Sequence, residues 1–407
     1  MKRRLALLWL LPESPLPPSV GARLRALSLL SASAPHYDIT AFVMAGPLPA
    51  PDERLQGIDW HSSRLPSRGE QVAALPQLLK FGAPPYLRFF CAPAQRRAVA
   101  ALLRQRLFDA VVTQLPYCSM AVQRPWRLPM IVIAHNVEWE TWRYKGAEAH
   151  GAERLVAPID RHLMRQWELR TLSMARAVAF VSERDRDLVR HRLPARVLDG
   201  VVPNTLDLDR YPPLPAPESH AEVLFVGTLG YGPNVTAARF ISRELAPLLA
   251  CEGMTALISG GAGPSGPGVR FLGRPDDLGP EYRRCFASIV PLFGGSGTRW
   301  KVLESMAYMR PVVATAKAVE GLAVADAEHY LRAETAAEFT DQLRRLGDPV
   351  VWQGLVERGR RLVETSYTWP VARGAWLELL ERALGAGTGG YDRGRPSSRS
   401  PDQPSDS

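Results

Sequence analysis

Short apolar runs alternate with longer amphipathic stretches along most of the chain, and that alternation is what most limits its fold. In the first half "LALLWLL" (5–11), "DITAFVM" (38–44), "FDAVVTQ" (108–114), "MIVIAH" (130–135), "AVAFVS" (177–182) and "VLDGVVP" (197–203) read as strands. In the second half the strands are "VLFVGT" (223–228), "TALISG" (255–260), "VRFLG" (269–273), "ASIVPL" (287–292), "PVVAT" (311–315) and "HYLRA" (329–333). Helical patterns lie between them at 20–33, 93–107, 140–175, 233–250, 299–309 and 335–347. Runs apolar at nearly every position suit strands buried on both faces, and helices between strands make those strands parallel. The Pro-rich "YPPLPAPESHAE" (211–222) divides the series. The expected architecture is α/β: one parallel-sheet domain over 1–210, a linker over 211–222 and a second such domain over 223–384. Two such sheets face each other across a cleft, with ligands at the carboxyl ends of the strands. The tail 385–407 is rich in Gly, Pro and Ser, buries almost nothing and is expected to be disordered.

A hydrophobic fraction of 46% and a charged fraction of 22% are those of a globular chain, so each half can hold its own core. No run approaches the roughly 20 apolar residues of a membrane span. The start, "MKRRLALLWLLPESPLPP", has an apolar core of only about seven residues before Glu13 and the prolines, and reads as a buried strand rather than a leader. Cys91, Cys118, Cys251 and Cys285 stand far apart without CxxC spacing, which fits a reducing cytoplasm and neither zinc nor a disulfide framework. The net charge of +9 is lopsided: residues 1–215 hold 29 Lys and Arg against 19 Asp and Glu. A solvated Arg-rich surface explains this, as does contact with an anionic membrane face or a phosphate-bearing acceptor. Nucleic acid is not expected, because no zinc-finger spacing, RNP-like aromatic string or basic repeat is present.

Two glycine-rich stretches invite a phosphate reading. "GGAGPSG" contains Gly261, Gly263 and Gly266 in GxGxxG spacing, but Pro264 and Pro267 intervene and a strand follows at once. A dinucleotide site needs those glycines to open a helix, so this is a loop. "GGSGTRWKVLESMAYMRPVVAT" (294–315) has the missing context: strand, glycine loop, then a helix with Thr298 as N-cap. Arg299 and Lys301 open that helix against the positive end of its dipole, at a cost of roughly 0.3–1 kcal/mol each. A bound diphosphate would turn both charges into charge-assisted hydrogen bonds beside exposed backbone N–H groups. Glu304, three residues past Lys301, would accept hydrogen bonds from the hydroxyls of a ribose. The plain alternative is an exposed helix start with a Lys301–Glu304 pair.

The segment "PLFGGSGTRWKVLESMAYMRPVVATAKAVEGL" resembles the donor-binding segment of the group 1 (family 4) glycosyltransferases, and most closely the branch found beside exopolysaccharide genes. "LPPSVGARLRAL", "AHNVEWETWR", "VPNTLDLDRY" and "FVGTLGYGPNVTA" are similar to other family segments in the same order, so the resemblance spans about residues 2–384. It implies the GT-B fold, two Rossmann-like domains across a cleft, and transfer of a hexose-type sugar from a nucleoside-diphosphate sugar with retention. It implies that Arg299 and Lys301 hold the diphosphate and Glu304 the ribose. Gly295, Ser296, Gly297 and Thr298 would line the sugar and phosphates, while Gly21 would let the first loop approach closely. His135 would sit by the donor sugar, and Gly273 and Arg274 would bracket the base. Ser296 stands where many members have a first glutamate, and Asn234 where many have a cation.

Sugar transfer leaves charge on the diphosphate, which Arg299, Lys301 and the helix start can stabilise without a metal. Asp185 with Asp187, and Asp207 with Asp209, read as carboxylates at helix starts rather than metal ligands. Asn204 and Asp207 read as turn residues. The expectation is a cytoplasmic, metal-independent transferase without a cofactor, acting on a glycan or lipid-linked acceptor, in peripheral contact with the inner face of the membrane. A different GT-B nucleotide-sugar enzyme (an epimerase or inverting transferase) and a non-catalytic nucleotide-sugar-binding subunit are the alternatives. "WPVARGAWLELLERAL" (369–384) reads as an amphipathic helix that, by the resemblance, crosses back to the first domain.

Overall fold

A computed structural model describes residues 3–18, 21–124, 126–148, 152–295 and 300–385. The first sheet holds β1 (Ala6–Leu11), β2 (Asp38–Val43), β3 (Asp59–Ser62), β4 (Ala110–Gln114), β5 (Met130–Ile133), β6 (Ala177–Phe180) and β7 (Leu198–Val201). Its order is β3-β2-β1-β4-β5-β6-β7, and every pairing is parallel. The second sheet holds β8 (Glu222–Val226), β9 (Thr255–Ser259), β10 (Val269–Gly273), β11 (Ala287–Val290), β12 (Val312–Ala314) and β13 (Leu331–Arg332). Its order is β10-β9-β8-β11-β12-β13, again parallel throughout. These two α/β units form the GT-B fold.

The apolar runs explain the layers. Alternate side chains of β1 enter two different cores, Leu8 and Leu10 on one face and Leu7, Trp9 and Leu11 on the other. Burying a strand on both faces requires this continuous hydrophobicity. The edge strand β3, "DWHS", has no apolar run and is not legible as a strand; it is held by pairing with Thr40–Val43. The 140–175 pattern begins earlier and is described as two helices, Glu138–Glu148 and Ala152–Met174. The 233–250 pattern contains a π turn over Ile241–Leu245, ahead of Pro247. A proline inside a helix withholds one N–H, and a wider turn is a common accommodation.

Helix Trp369–Gly385 packs on the first sheet, although it follows the second domain in the chain. Trp376 is fully buried, meets Trp9 edge-on at 5.6 Å and donates from Nε1 to Ser33 Oγ at 2.8 Å. The two crossings between domains pair with each other, since Leu206 N donates to Tyr367 O and Trp369 N to Leu206 O. The carboxyl ends of the sheets face one another. Arg184, after β6, pairs with Glu320, after β12, at 2.9 Å. The expected tail lies outside the described residues.

Candidate functional site

A parallel sheet opens a crevice where its strand order reverses, outside the carboxyl ends of the two strands concerned. In the second sheet the reversal lies between β8 and β11. β8 runs into Gly227 and the helix Gly232–Phe240; β11 runs into the glycine loop and the helix Trp300–Ala307. Lys301 and Asn234 therefore meet from opposite sides of this crevice. Lys301 Nζ donates to Asn234 Oδ1 at 2.8 Å and lies 4.4 Å from the centre of the Phe225 ring. Asn234 is itself held by Nδ2 donating to Thr228 O at 3.0 Å. Gly227 makes room for the pair, because a Cβ there would fall 2.7 Å from both Lys301 Nζ and Asn234 Cγ. A neutral amide holds the ammonium without cancelling its charge.

Glu304 is half-buried one turn further along, and Tyr211 Oη donates to its Oε1 at 3.0 Å. Burial raises its carboxyl above the ordinary range, opposed by the Tyr211 hydrogen bond and by the Lys301 charge. The Tyr211 ring rests edge-on against Tyr308 at 5.2 Å, and Tyr308 stacks on Tyr282 at 4.7 Å. The expected alternative, a plain Lys301–Glu304 pair, gives way to separate partners: Asn234 for the lysine and Tyr211 for the glutamate. Gly273 (φ 71°) ends β10, and its carbonyl accepts from the N–H groups of Gly260 and Gly261. Arg274 is exposed, with Nε donating to Gly260 O at 3.2 Å. Gly260 in turn lies against the backbone of Gly227, so Gly273, Arg274 and Lys301 share one neighbourhood. Gly295 is buried with φ 92° at the loop's near end. Ser296, Gly297, Thr298 and Arg299 lie outside the described residues.

Gly21 opens the first helix of the chain and touches the second domain. A Cβ there would fall 2.1 Å from Trp300 Nε1, so only a bare backbone can meet the indole so closely. This brings the first loop to the head of the helix that carries Lys301.

His135 stands at the carboxyl end of β5, in the other half. Gln114 Nε2 lies 2.7 Å from its Nε2, so with the amide donating the ring carries its proton on Nδ1. Burial, and then the charge of Arg25, push its pKa down to about 3, and the imidazole is neutral. A neutral ring with an N–H to offer suits a hydrogen bond to a sugar oxygen. Asn234, Gln114, Arg25, Tyr211 and Trp300 are the site residues that sequence reasoning missed in these roles. The only local signal was Asn234 where a cation was expected. Among the described residues no group of three or more His, Cys, Asp and Glu could hold a metal ion.

Residues 25–210 match the family described as glycosyltransferase family 4, and residues 220–348 the one described as glycosyl transferases group 1. No curated protein matches the chain by sequence at a significant level. Sucrose-phosphate synthase from Thermosynechococcus elongatus shares the fold with a TM-score of 0.66 at 17% identity, over 94% of this chain and 100% of that one. Anabaena Alr3699/HepE, solved in complex with UDP and glucose, gives a TM-score of 0.60 at 14% identity over 92% and 99%. α,α-Trehalose 6-phosphate synthase from Burkholderia multivorans gives 0.61 at 13% identity over 95% and 100%.

Proposed function

We propose that this chain, which belongs to the group 1 glycosyltransferases, moves a hexose-type sugar from a nucleoside-diphosphate sugar to a glycan or lipid-linked acceptor, with retention and without a metal ion. The observation that carries the donor reading is Lys301, seated on Asn234 in the switch-point crevice, with Gly227 making room for the pair. Uridine is the base to test first, because HepE, of the same fold, is solved with UDP and with UDP-glucose. Transfer breaks the bond from the anomeric carbon to the diphosphate, and negative charge grows on the leaving oxygens. Lys301 and Arg299 would take up that charge; losing one such preorganised donor typically costs on the order of 10²–10³ in rate. Glu304, fixed by Tyr211, would accept from the ribose hydroxyls, and neutral His135 would donate to the sugar.

A lipid-linked acceptor in the assembly of cell-surface polysaccharide or glycolipid is favoured by one stretch of the first domain. Residues 63–107 hold eight Lys and Arg against a single acidic residue, Glu70. Leu65, Val72 and Leu79 within it are 61%, 62% and 81% exposed. Cations around exposed aliphatic groups suit an anionic bilayer surface. No described helix is long and apolar enough to cross a membrane, so this reading places the chain on the cytoplasmic membrane face rather than through it.

The donor reading is tested by calorimetry with uridine, guanosine, adenosine and thymidine diphosphates in EDTA, on wild type and Lys301→Ala. One diphosphate is expected to bind wild type without metal, and the variant at least about tenfold more weakly. Binding that needs a divalent ion, or that survives the substitution unchanged, would refute it.

A further inference from the structure

Among the described residues two arginines are buried, and they are used differently. Arg310, 1% exposed, has all three guanidinium nitrogens engaged. Nε donates to Tyr282 O at 2.7 Å, Nη1 to Met309 O at 2.8 Å, and Nη2 to Pro215 O and Arg283 O at 2.8 and 3.0 Å. Arg25, 3% exposed, spends only one. Its Nη1 donates to Val202 O at 2.7 Å, Pro203 O at 3.1 Å and Asn204 Oδ1 at 3.2 Å, while Nε and Nη2 are buried without a partner. Its ion pairs are as empty: among the described residues no carboxylate stands at salt-bridge distance from it.

The idle pair matters because of which nitrogens they are. Nε–H and Nη2–H form one edge of the guanidinium, two parallel donors spaced for the two oxygens of a carboxylate or phosphate. Arg54 of this same chain uses that edge on Asp52, with Nε at 2.9 Å from one oxygen and Nη2 at 2.7 Å from the other. A buried guanidinium with this edge empty has surrendered its hydration without its anion, an arrangement that costs stability unless something else supplies the charge. Burial lowers its pKa to about 9, which is the same deficit seen from the proton's side.

The surroundings say where that anion would stand. Arg25 sits one turn after Gly21 on the same helix face, and Gly21 meets Trp300 of the second domain, so this turn borders the seam between domains. Val202–Asn204 follow β7, and the arginine's charge acts on His135, which follows β5. At the end of β4, Gln114 holds His135 through Nε2 while its own Oε1 is buried and unpartnered. The first sheet reverses its strand order between β1 and β4. Gln114 and His135 thus stand beside the first domain's switch point, and Arg25 lies near enough for its charge to reach the histidine, in the half opposite Lys301.

We propose that Arg25 receives a second anion, a carboxylate or phosphate on the sugar being transferred or on the acceptor, and fixes it beside His135. The inference rests on the donor reading only in placing the diphosphate elsewhere, at Lys301. Each source predicts its own preference. A charged transferred sugar makes UDP-glucuronate bind tighter than UDP-glucose. A charged acceptor makes glucose 6-phosphate bind the UDP-loaded protein tighter than glucose.

The experiment is calorimetric titration of the full chain with both pairs, on wild type and Arg25→Met. Wild type should prefer the charged member of one pair by about tenfold or more, and Arg25→Met should abolish that preference while keeping UDP affinity. Equal binding of charged and neutral members by wild type, or a preference that survives in Arg25→Met, would overturn the proposal. A lower melting temperature with the preference intact would mark Arg25 as a structural tie only, which also overturns it. If UDP itself does not bind, the donor reading has failed, and glucose 6-phosphate or glucuronate against glucose on the unloaded protein still reads Arg25. Should Arg25→Met not fold, Arg25→Lys keeps the charge without the fork and should weaken the preference at least severalfold; an unchanged preference there counts against the proposal.

Discussion

His135 shows how far one side chain's behaviour departs from its type. Free imidazole titrates near neutrality, yet burial and the Arg25 charge lower this one to about 3. Between that value and the ordinary one of about 6.5 the unfolded chain binds a proton that the native chain does not. This contribution to stability is therefore whole above about pH 6.5 and is lost as pH falls toward 3. Asp185 works in the opposite sense, its carboxyl pushed up to about 6 chiefly by burial, so the histidine must be isolated by substitution. In urea unfolding at about pH 7 and about pH 4.5, His135→Asn should lose less stability on acidification than wild type does. Parallel losses in the two proteins would mean that His135 is not held neutral. Lys301 shows the same dependence on place. The sequence puts it at a helix start, but its seat on Asn234, its ring neighbour Phe225 and the clearance at Gly227 come from the end of β8 and the helix that follows it.

At the scale of elements, three of the four glycines of "GGAGPSG" have a packing explanation. A Cβ on Gly260 (φ 121°) would fall 2.2 Å from Gly227 O, one on Gly261 2.8 Å from Leu229, and one on Gly263 2.4 Å from Phe271. The stretch is a loop between β9 and β10 that lies against Gly227, and close approach accounts for Gly260, Gly261 and Gly263 without a dinucleotide, while Gly266 has open space around it. The segment 45–92 carries no legible motif, and it folds as the edge strand β3, short helices and turns with aliphatic residues left outside. Amphipathic periodicity cannot be read where helices last only six or seven residues, as Arg68–Ala73 and Leu75–Phe81 do. If this segment meets a bilayer, the protein should co-sediment with phosphatidylglycerol vesicles and less with phosphatidylcholine, and Val72→Asp/Leu79→Asp should lower the bound fraction several-fold without changing UDP affinity. Equal sedimentation of wild type and variant would rule the segment out as the contact.

At the scale of the whole molecule, the chain's last described helix completes the domain that its first strand begins. Trp376 closes the core around Trp9 and Ser33, so Trp376→Ala should cost about 3–5 kcal/mol in chemical unfolding. A cost under about 1 kcal/mol would mean that the first domain folds without this helix. The α/β class and its division into two parallel-sheet domains were determined by the sequence alone, because near-continuous apolar runs between helical stretches permit little besides parallel sheets covered on both faces; the GT-B plan was implied only by the family resemblance. The likeness of "GGSGTRWKVLESMA" to a donor loop was equally local, since a glycine turn and a helix start are made by neighbours in the chain. Only the tertiary structure decided that Asn234 holds Lys301, that Tyr211 holds Glu304, that Trp300 rests on Gly21, and that Arg25 is buried with one edge empty. Each of these joins residues tens to hundreds of positions apart. Their meeting depends on strand order and on how the two sheets face each other, and no periodicity or motif within a window of sequence records either.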